Sequence, residues 1–494
     1  PPRSTLFPYT TLFRSDKESS LYSMIETGKD VIVRRSDYFD KLPSKPLAYW
    51  LPEKILELFV KNPSLETNHA KAWQGLITSD DFRFARLRWE IDANEISPQK
   101  RWVYFPKGGE FSPFYEDIHL VINWKNSGQE IVNFFDENGN LRSRPQSINH
   151  YYRKGLTYPW RTSLGFAPRV LPKNCIFAAQ GSAILSLSEQ EDSSENLLLL
   201  GILNSSLYQL LISIGVGAIE NAAKSYQVGL VSSLPSISLS PETKHRISKL
   251  SLEIITQLRI LDSFDETAIT FIGPIPVKYF DTKNRLVSLR NSMIEVLKNN
   301  IEKIDDEILT SIGIQKNEIP PYDLPVKYLS TKIDGIFDDI SSLLSWTIGV
   351  IFGRWNVEKY SSENKELLIT DPFTPLPACS PGMLTNIQGY PANSKEIPQD
   401  YPIRISWLGI ISEDQGSRDD VESRCREILN IIWGNDVEVN EQKVCHILGV
   451  HSLREYYRKP ALFFSDHLKR YSKSRRAAPI YWPRSEEHTS ELQS

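Results

Sequence analysis

The stretch with the clearest chemistry runs from Leu141 to Lys173. It holds Arg142, Arg144, Arg153, Lys154, Arg161, Arg169 and Lys173, and not one acidic residue. Asn149, Tyr151, Tyr152, Tyr158 and Trp160 are interleaved with them. Phosphate neutralisation needs Arg and Lys. Hydroxyls and amides fix register on a nucleic-acid backbone. Aromatic rings can stack on a displaced base, and Arg or Asn can bond base edges. Such a patch fits a DNA footprint; a solvated β-rich surface with ordinary Arg content is an equally open reading.

Two further blocks carry the same chemistry. In FPKGGEFSPFYED, Lys107 precedes Gly108-Gly109. Paired glycines let a backbone approach a partner closely and a lysine can meet a phosphate, although a structural turn is the commoner meaning. The block lacks the GxxxxGK[ST] spacing of a nucleotide-binding loop. Near the end, Arg454, Arg458, Lys459, Lys469, Arg470, Lys473, Arg475 and Arg476 stand against Glu455 and Asp466. Phosphate contact is plausible there, and a lysine-rich solvated helix end is its rival.

Constellations for catalysis are not found. There is no HExxH, GxSxG, HRD or DFG. Asp80-Asp81, Asp305-Asp306 and Asp338-Asp339 read as helix caps or solvated faces. The four cysteines form no close pair, so neither a zinc site nor a disulfide framework is expected, and a reducing, cytoplasmic setting is. No glycine-rich strand–turn–helix suggests a bound nucleotide or S-adenosylmethionine. The expectation is therefore no catalytic residue and no metal ligand.

The elements that must position these residues read as an α+β chain. Its 494 residues and net charge of -4 allow several domains and require any DNA-binding surface to be local. YWLPEKILELF predicts a helix opened by Pro52. HLVINW and IVNFF predict two strands joined by a hairpin turn at Lys125 to Gly128, with ENGN as a second turn. CIFAAQGSAILSLS reads as further strands, and NLLLLGILNSSLYQLLISIG as one buried helix continuing to Val216. Ser240 and Pro241 open a long helix, and a second long helix ends at Gly313; the two can pair as a hairpin or arm. Another helix is expected over 330–355, loop over 371–402, and helical segments to the end. No apolar run is long and uninterrupted enough to span a membrane.

The ends read differently. Arg484-Ser485-Glu486-Glu487 can be encoded by AGATCGGAAGAG, whose reverse complement encodes Leu12-Phe13-Arg14-Ser15. Residues 1–16 and 484–494 are therefore expected to be translated sequencing adapter, excluded from fold reasoning. The expected divisions are an α/β segment over 17–100, a target-recognition domain over 101–239, a helical hairpin over 240–320 and a mainly helical domain over 321–483.

The blocks GLITSDDFRFARLRWE, RWVYFPKGGEFSPFYEDIHLVINWKNSGQEI, RSRPQSINHYYRKGLTYPWRTS and LREYYRKPALFFSDHLKRYSKSRRAAPIYWP together resemble the C-terminal half of large bacterial adenine-specific DNA methyltransferases. The resemblance runs from about residue 17 to 483 and is to the methyltransferase of BREX-type phage-defence systems in particular, with fused restriction-modification enzymes as near relatives. In that family an amino-terminal domain binds S-adenosylmethionine and methylates adenine N6 through an NPPY-type motif. Neither NPPY nor NPPF occurs here. The resemblance thus implies a β-rich DNA target-recognition region followed by long helices and a helical C-terminal region, inactive alone, with cofactor and catalysis in a domain before residue 17. That domain would flip the adenine while this region clamps the backbone and reads flanking bases.

The expected partner is double-stranded DNA, with other phage-defence proteins as further candidates and no membrane. DNA-facing candidates are Lys107, Gly108, Gly109, Arg142, Arg144, Asn149, Tyr151, Arg153, Lys154, Tyr158, Trp160, Arg161, Arg169, Lys469, Arg470, Lys473, Arg475 and Arg476. A protein-interaction scaffold of a phage-defence complex, or part of a restriction nuclease, are the alternatives.

Overall fold

A computed structural model describes residues 51–188, 192–216, 224–275, 283–319, 340–361 and 370–476, with residues 22, 27, 37–40, 42, 45–46 and 48–49 before them. The adapter-like ends, Asp338-Asp339 and the first part of the helix expected over 330–355 lie outside these. Helix α1 (Glu53–Lys61) follows Pro52 and buries Ile55, Leu56 and Leu58, the spacing of one helical face. The strands are β1 (Ala70–Trp73), β2 (Ala85–Leu87), β3 (Trp102–Tyr104), β4 (Leu120–Asn123), β5 (Gly155–Pro159), β6 (Arg161–Thr162), β7 (Arg169–Leu171), β8 (Gly181–Ser186) and β9 (Lys224–Ser225).

All pairings between these strands are antiparallel. One sheet runs β1-β8-β5-β7, a second β2-β4-β3, and β6 pairs β9. Side chains alternate across a strand, and here the alternation separates two cores. Ile184, Leu156 and Val170 of the four-stranded sheet pack among the helices that follow. Their neighbours Ala183, Leu185 and Leu171 join the core of the three-stranded sheet, with Val103, Val121 and Ile122. Both faces of the larger sheet are thus covered, and β5 and β7 are buried along their whole length. Fully burying such a side chain contributes about 1.5–3 kcal/mol.

The hairpin expected at Lys125 to Gly128 is corrected. The turn is there, with Asn126, Ser127 and Gly128 at φ 52°, 57° and 75°. It leads into a helical turn through Val132, and β4 pairs with β2 and β3 instead. The reason lies in IVNFF: Ile131 and Phe134, three residues apart, are the buried pair, while Phe135 is exposed. The ENGN turn forms as expected, with Asp136 Oδ1 accepting from Asn138 and Asn140 N–H.

The single helix expected to Val216 is also corrected, into α2 (Ser193–Asn204) and α3 (Ser206–Val216), bent by 65°. Ser205 is extended and closes α2. The first amide of α3, Ser206 N–H, donates to the buried Asp305 carboxylate at 2.7 Å, and burial pushes that carboxyl up to about 6. No single described helix is long and apolar enough to cross a membrane.

Helix α4 (Pro241–Asp262) starts as its sequence predicts. Ser240 accepts from Thr243 N–H, and Pro241 opens the helix. It packs on α5 (Lys283–Ser311) as a hairpin, tied by Arg246–Glu307 at 2.7 Å and Asn300–Glu253 at 3.1 Å. A third core joins α6 (Ser341–Ile351), α7 (Val421–Trp433), α8 (Val437–Leu448), α9 (Leu453–Arg458) and the helical turn Pro460–Phe464 around Trp346, Trp355 and Tyr457, and α10 (Ser465–Tyr471) continues from that turn. The fold is α+β, with irregular chain over 371–402.

Segment 263–272 brings this helical part onto the strand-rich part. Glu266 accepts from Trp355 Nε1 at 2.8 Å and lies 4.0 Å from Arg470. Thr267 carbonyl accepts from Arg88, and Asp117 accepts from Ile269 N–H.

Candidate nucleic-acid interface

These contacts lay the end of the described chain, Lys473 to Arg476, against the Lys107 to Gly109 loop. Together they line a cleft of about 970 Å³. Its walls include Phe82, Thr157, Arg169 and Gln180 as well.

The glycine loop needs its glycines for two reasons. Gly108 has φ 81°, a left-handed conformation that favours glycine. It also passes so close to β8 that a Cβ there would lie 2.1 Å from the Gln180 carbonyl oxygen. Arg169 locks the loop from below: its guanidinium donates to the Gly108 carbonyl and, at 3.3 Å, to the Glu110 carbonyl. It also pairs with Glu116 at 3.7 Å and is only 3% exposed.

Lys107 contacts Asp81, whose other oxygen accepts from Thr78 at 2.5 Å. Two effects oppose at this ammonium. Burial, joined by the like charges of Arg476 and Arg475, pulls its pKa down to about 8; the Asp81 contact pulls it back up. Either way Lys107 is charged at neutral pH. Asp80, the neighbour, caps the short helix Asp81–Phe84 by accepting from Arg83 N–H. Of the acidic pair read as caps, one residue therefore caps and the other holds the loop lysine.

From the opposite wall, Arg476 donates to the Asp81 and Ala85 carbonyls and stacks over the Phe82 ring at 4.9 Å. Ser474 and Arg475 both have positive φ, and Arg475 is exposed. Lys473 lies 3.6 Å from Asp265, and Ser474 Oγ is 2.8 Å from His119 Nε2. The lining is mixed: Asp81, Glu110, Glu116 and Asp117 share it. Three of these acids are engaged within the protein, Asp81 by Lys107, Glu116 by Arg169 and Asp117 by Ile269 N–H.

His119 is a cleft residue that sequence reasoning missed, since a lone histidine carries no pattern. Burial, with Lys473 nearby, holds its pKa down at about 4, against the opposing pull of Asp117 and Glu116. A histidine near 6.5 when unfolded and near 4 when folded costs stability as pH falls. Its contribution is intact above pH 6.5 and is lost progressively toward pH 4. From pH 7 to pH 5 this group is expected to lower stability by about 1–2 kcal/mol. Urea unfolding at the two pH values measures it, and His119→Gln should remove that part of the difference.

The other candidates lie apart from the cleft or inside the protein. Arg142 and Arg144 are exposed on the outer side of the Thr78–Asp81 segment: Arg144 exchanges backbone hydrogen bonds with Ile77, the Arg142 carbonyl accepts from Ser79 Oγ, and its guanidinium covers Phe134 at 4.8 Å. Asn149 is exposed on the turn Ile148–His150. Trp160 and Arg161 are exposed at β6. Arg153 donates to the Ser186 and Ser188 carbonyls, and Lys154 to Ser193 Oγ. Tyr151 packs on Trp124 and Phe177, and Tyr158 on Phe166. Both tyrosines are almost wholly buried, so neither offers a ring face to a base. Lys469 is exposed on α10, while the Arg470 side chain is largely buried and donates to Ser341 Oγ at 2.7 Å. The acid-free stretch is thus divided between the core, β-sheet edges and a surface next to the cleft.

No family model matches the chain. It is similar to the adenine-specific methyltransferase PglX of Lacticaseibacillus casei (strain Zhang), 24% identical over 472 residues, which is 90% of this chain and 36% of that protein. It is similar also to the adenine-specific methyltransferase BrxX of Escherichia coli O9:H4 (strain HS), 24% identical over 513 residues, 94% of this chain and 38% of that protein. The resemblance to BREX-type adenine-specific methyltransferases therefore holds over about nine-tenths of the chain. The chain spans under two-fifths of the length of either relative.

Proposed function

We propose that this chain is the DNA-contacting region of an S-adenosylmethionine-dependent adenine-N6 DNA methyltransferase of a phage-defence system, working in the cytoplasm. The observation that carries the reading is the meeting of the Lys107–Gly109 loop with Lys473, Arg475 and Arg476 in one cleft. Phosphate contacts position a protein on a duplex. Lys107 and Arg475 supply charge, and Gly109, where a Cβ would meet nothing nearer than Arg169 at 3.9 Å, leaves the backbone open to a duplex. The Arg142–Arg144 surface beside it extends the footprint. A phosphate arriving at Lys107 competes with Asp81 for the same ammonium.

The described residues do not fit a methyl-donor site. Such cofactors bind where a strand ends in a glycine-rich turn into a helix, at the edge of a parallel sheet, and the named strands here pair antiparallel. No step of methyl transfer is assigned to these residues; their part is to hold the duplex in register.

The test is equilibrium binding of the 494-residue chain to a duplex of about 30 base pairs from 50 to 200 mM salt. Affinity is expected to fall linearly on a log–log plot with a slope of several. An absence of salt-dependent binding at micromolar protein would contradict the proposal.

A further inference from the structure

We infer that Phe82 is a stacking platform for an unstacked nucleobase at the rim of the cleft. The inference rests on the DNA-contacting reading above and names a second kind of contact within it.

Phe82 is 62% exposed although it lines the cleft. Its neighbour in the same short helix, Phe84, is fully buried and anchors the turn, packing against Phe134 at 5.1 Å. The backbone beneath Phe82 is fixed as well. Asp80 caps the turn, and the Phe82 carbonyl accepts from Arg86 Nη1 at 2.7 Å. The phenyl ring is thus held on a fixed backbone with most of its surface open to solvent.

The ring is already half of a stacking site. The Arg476 guanidinium lies 4.9 Å from its centroid and is held there by the Asp81 and Ala85 carbonyls. With the guanidinium over one face of the ring, the opposite face is the one offered to a base, which would extend the cation–aromatic stack by one layer. Every base has a π-face, so such a contact tolerates sequence and selects for a base that is out of the helical stack. The phosphate-binding groups of the cleft, Lys107 and Arg475, lie on the same walls, so a backbone held there carries its bases past the ring.

The experiment compares binding of the full chain to a paired duplex and to the same duplex with one bulged nucleotide, over a salt series. Wild type is expected to favour the bulged duplex by about 5- to 50-fold, within the range that base–aromatic stacking supports. Phe82→Ala should lose that preference with its salt slope unchanged, and Phe82→Trp should keep it. If wild type binds both duplexes alike, or Phe82→Ala keeps the preference, the stacking role is overturned while the phosphate-contact reading stands. If wild type shows no salt-dependent binding to either, the DNA-contacting reading fails and this inference fails with it.

Discussion

Arg169→Ala is expected to destabilise the chain by about 3–5 kcal/mol, read from urea unfolding midpoints. Arg169 is buried while its partner Glu116 is about a third exposed, so most of the cost comes from the stranded carbonyls, about 1–3 kcal/mol for each buried group left unsatisfied, and a smaller share from the ion pair. Here the effect is compound. The Gly108 and Glu110 carbonyls lose their donor, and Glu116 loses its cation. Arg169→Lys should restore only part of the stability, because a single ammonium cannot reach two carbonyls and a carboxylate in the planar fork geometry of a guanidinium. A shift below about 1 kcal/mol for Arg169→Ala, typical of surface substitutions, would contradict the loop-locking role. The same variant separates two meanings of a basic residue in a basic stretch: a phosphate ligand would change binding and leave folding alone.

That distinction was not legible in the sequence. Arg169 and Arg161 look alike in a run without acids, yet one is buried under a loop and the other stands on an edge strand. Local signals were legible wherever the physics is local. Ser240-Pro241 opened its helix, Pro52 opened α1, and ENGN turned the chain. Errors arose where tertiary partners decide. The break at Ser205 depends on a carboxylate on α5, far along the chain, and IVNFF took the helical spacing of its buried pair over its strand propensity. The cleft itself is wholly non-local. Arg476 and the Asp81 carbonyl it binds are 395 positions apart, and nothing in either segment names the other. What the sequence did supply was the pair of blocks, KGG and YSKSRR, that the fold brings together.

The second large effect is on binding. The triple variant Lys107→Ala, Lys473→Ala, Arg475→Ala is expected to bind duplex DNA on the order of 10²-fold more weakly at 0.1 M salt. Its log–log salt slope should fall by about 2.7, at about 0.9 for each phosphate that is no longer neutralised. All three side chains are at least partly exposed, so unfolding midpoints should move little. The slope is the discriminating quantity. Weaker binding with an unchanged slope would mean that these cations act by shaping the protein and touch no phosphate.

Whether DNA lies in this cleft is tested most directly by covalent mapping. The full chain is cross-linked to bound duplex through its lysines and arginines, digested, and the DNA-bearing peptides are identified by mass spectrometry. Adducts are predicted on the peptides carrying Lys107 and Lys473 to Arg476, with weaker labelling at Arg142 and Arg144 on the adjoining surface. Adducts confined to the distant cations, such as Arg246 on α4 or Arg426 on α7, with the cleft peptides unlabelled, would contradict it.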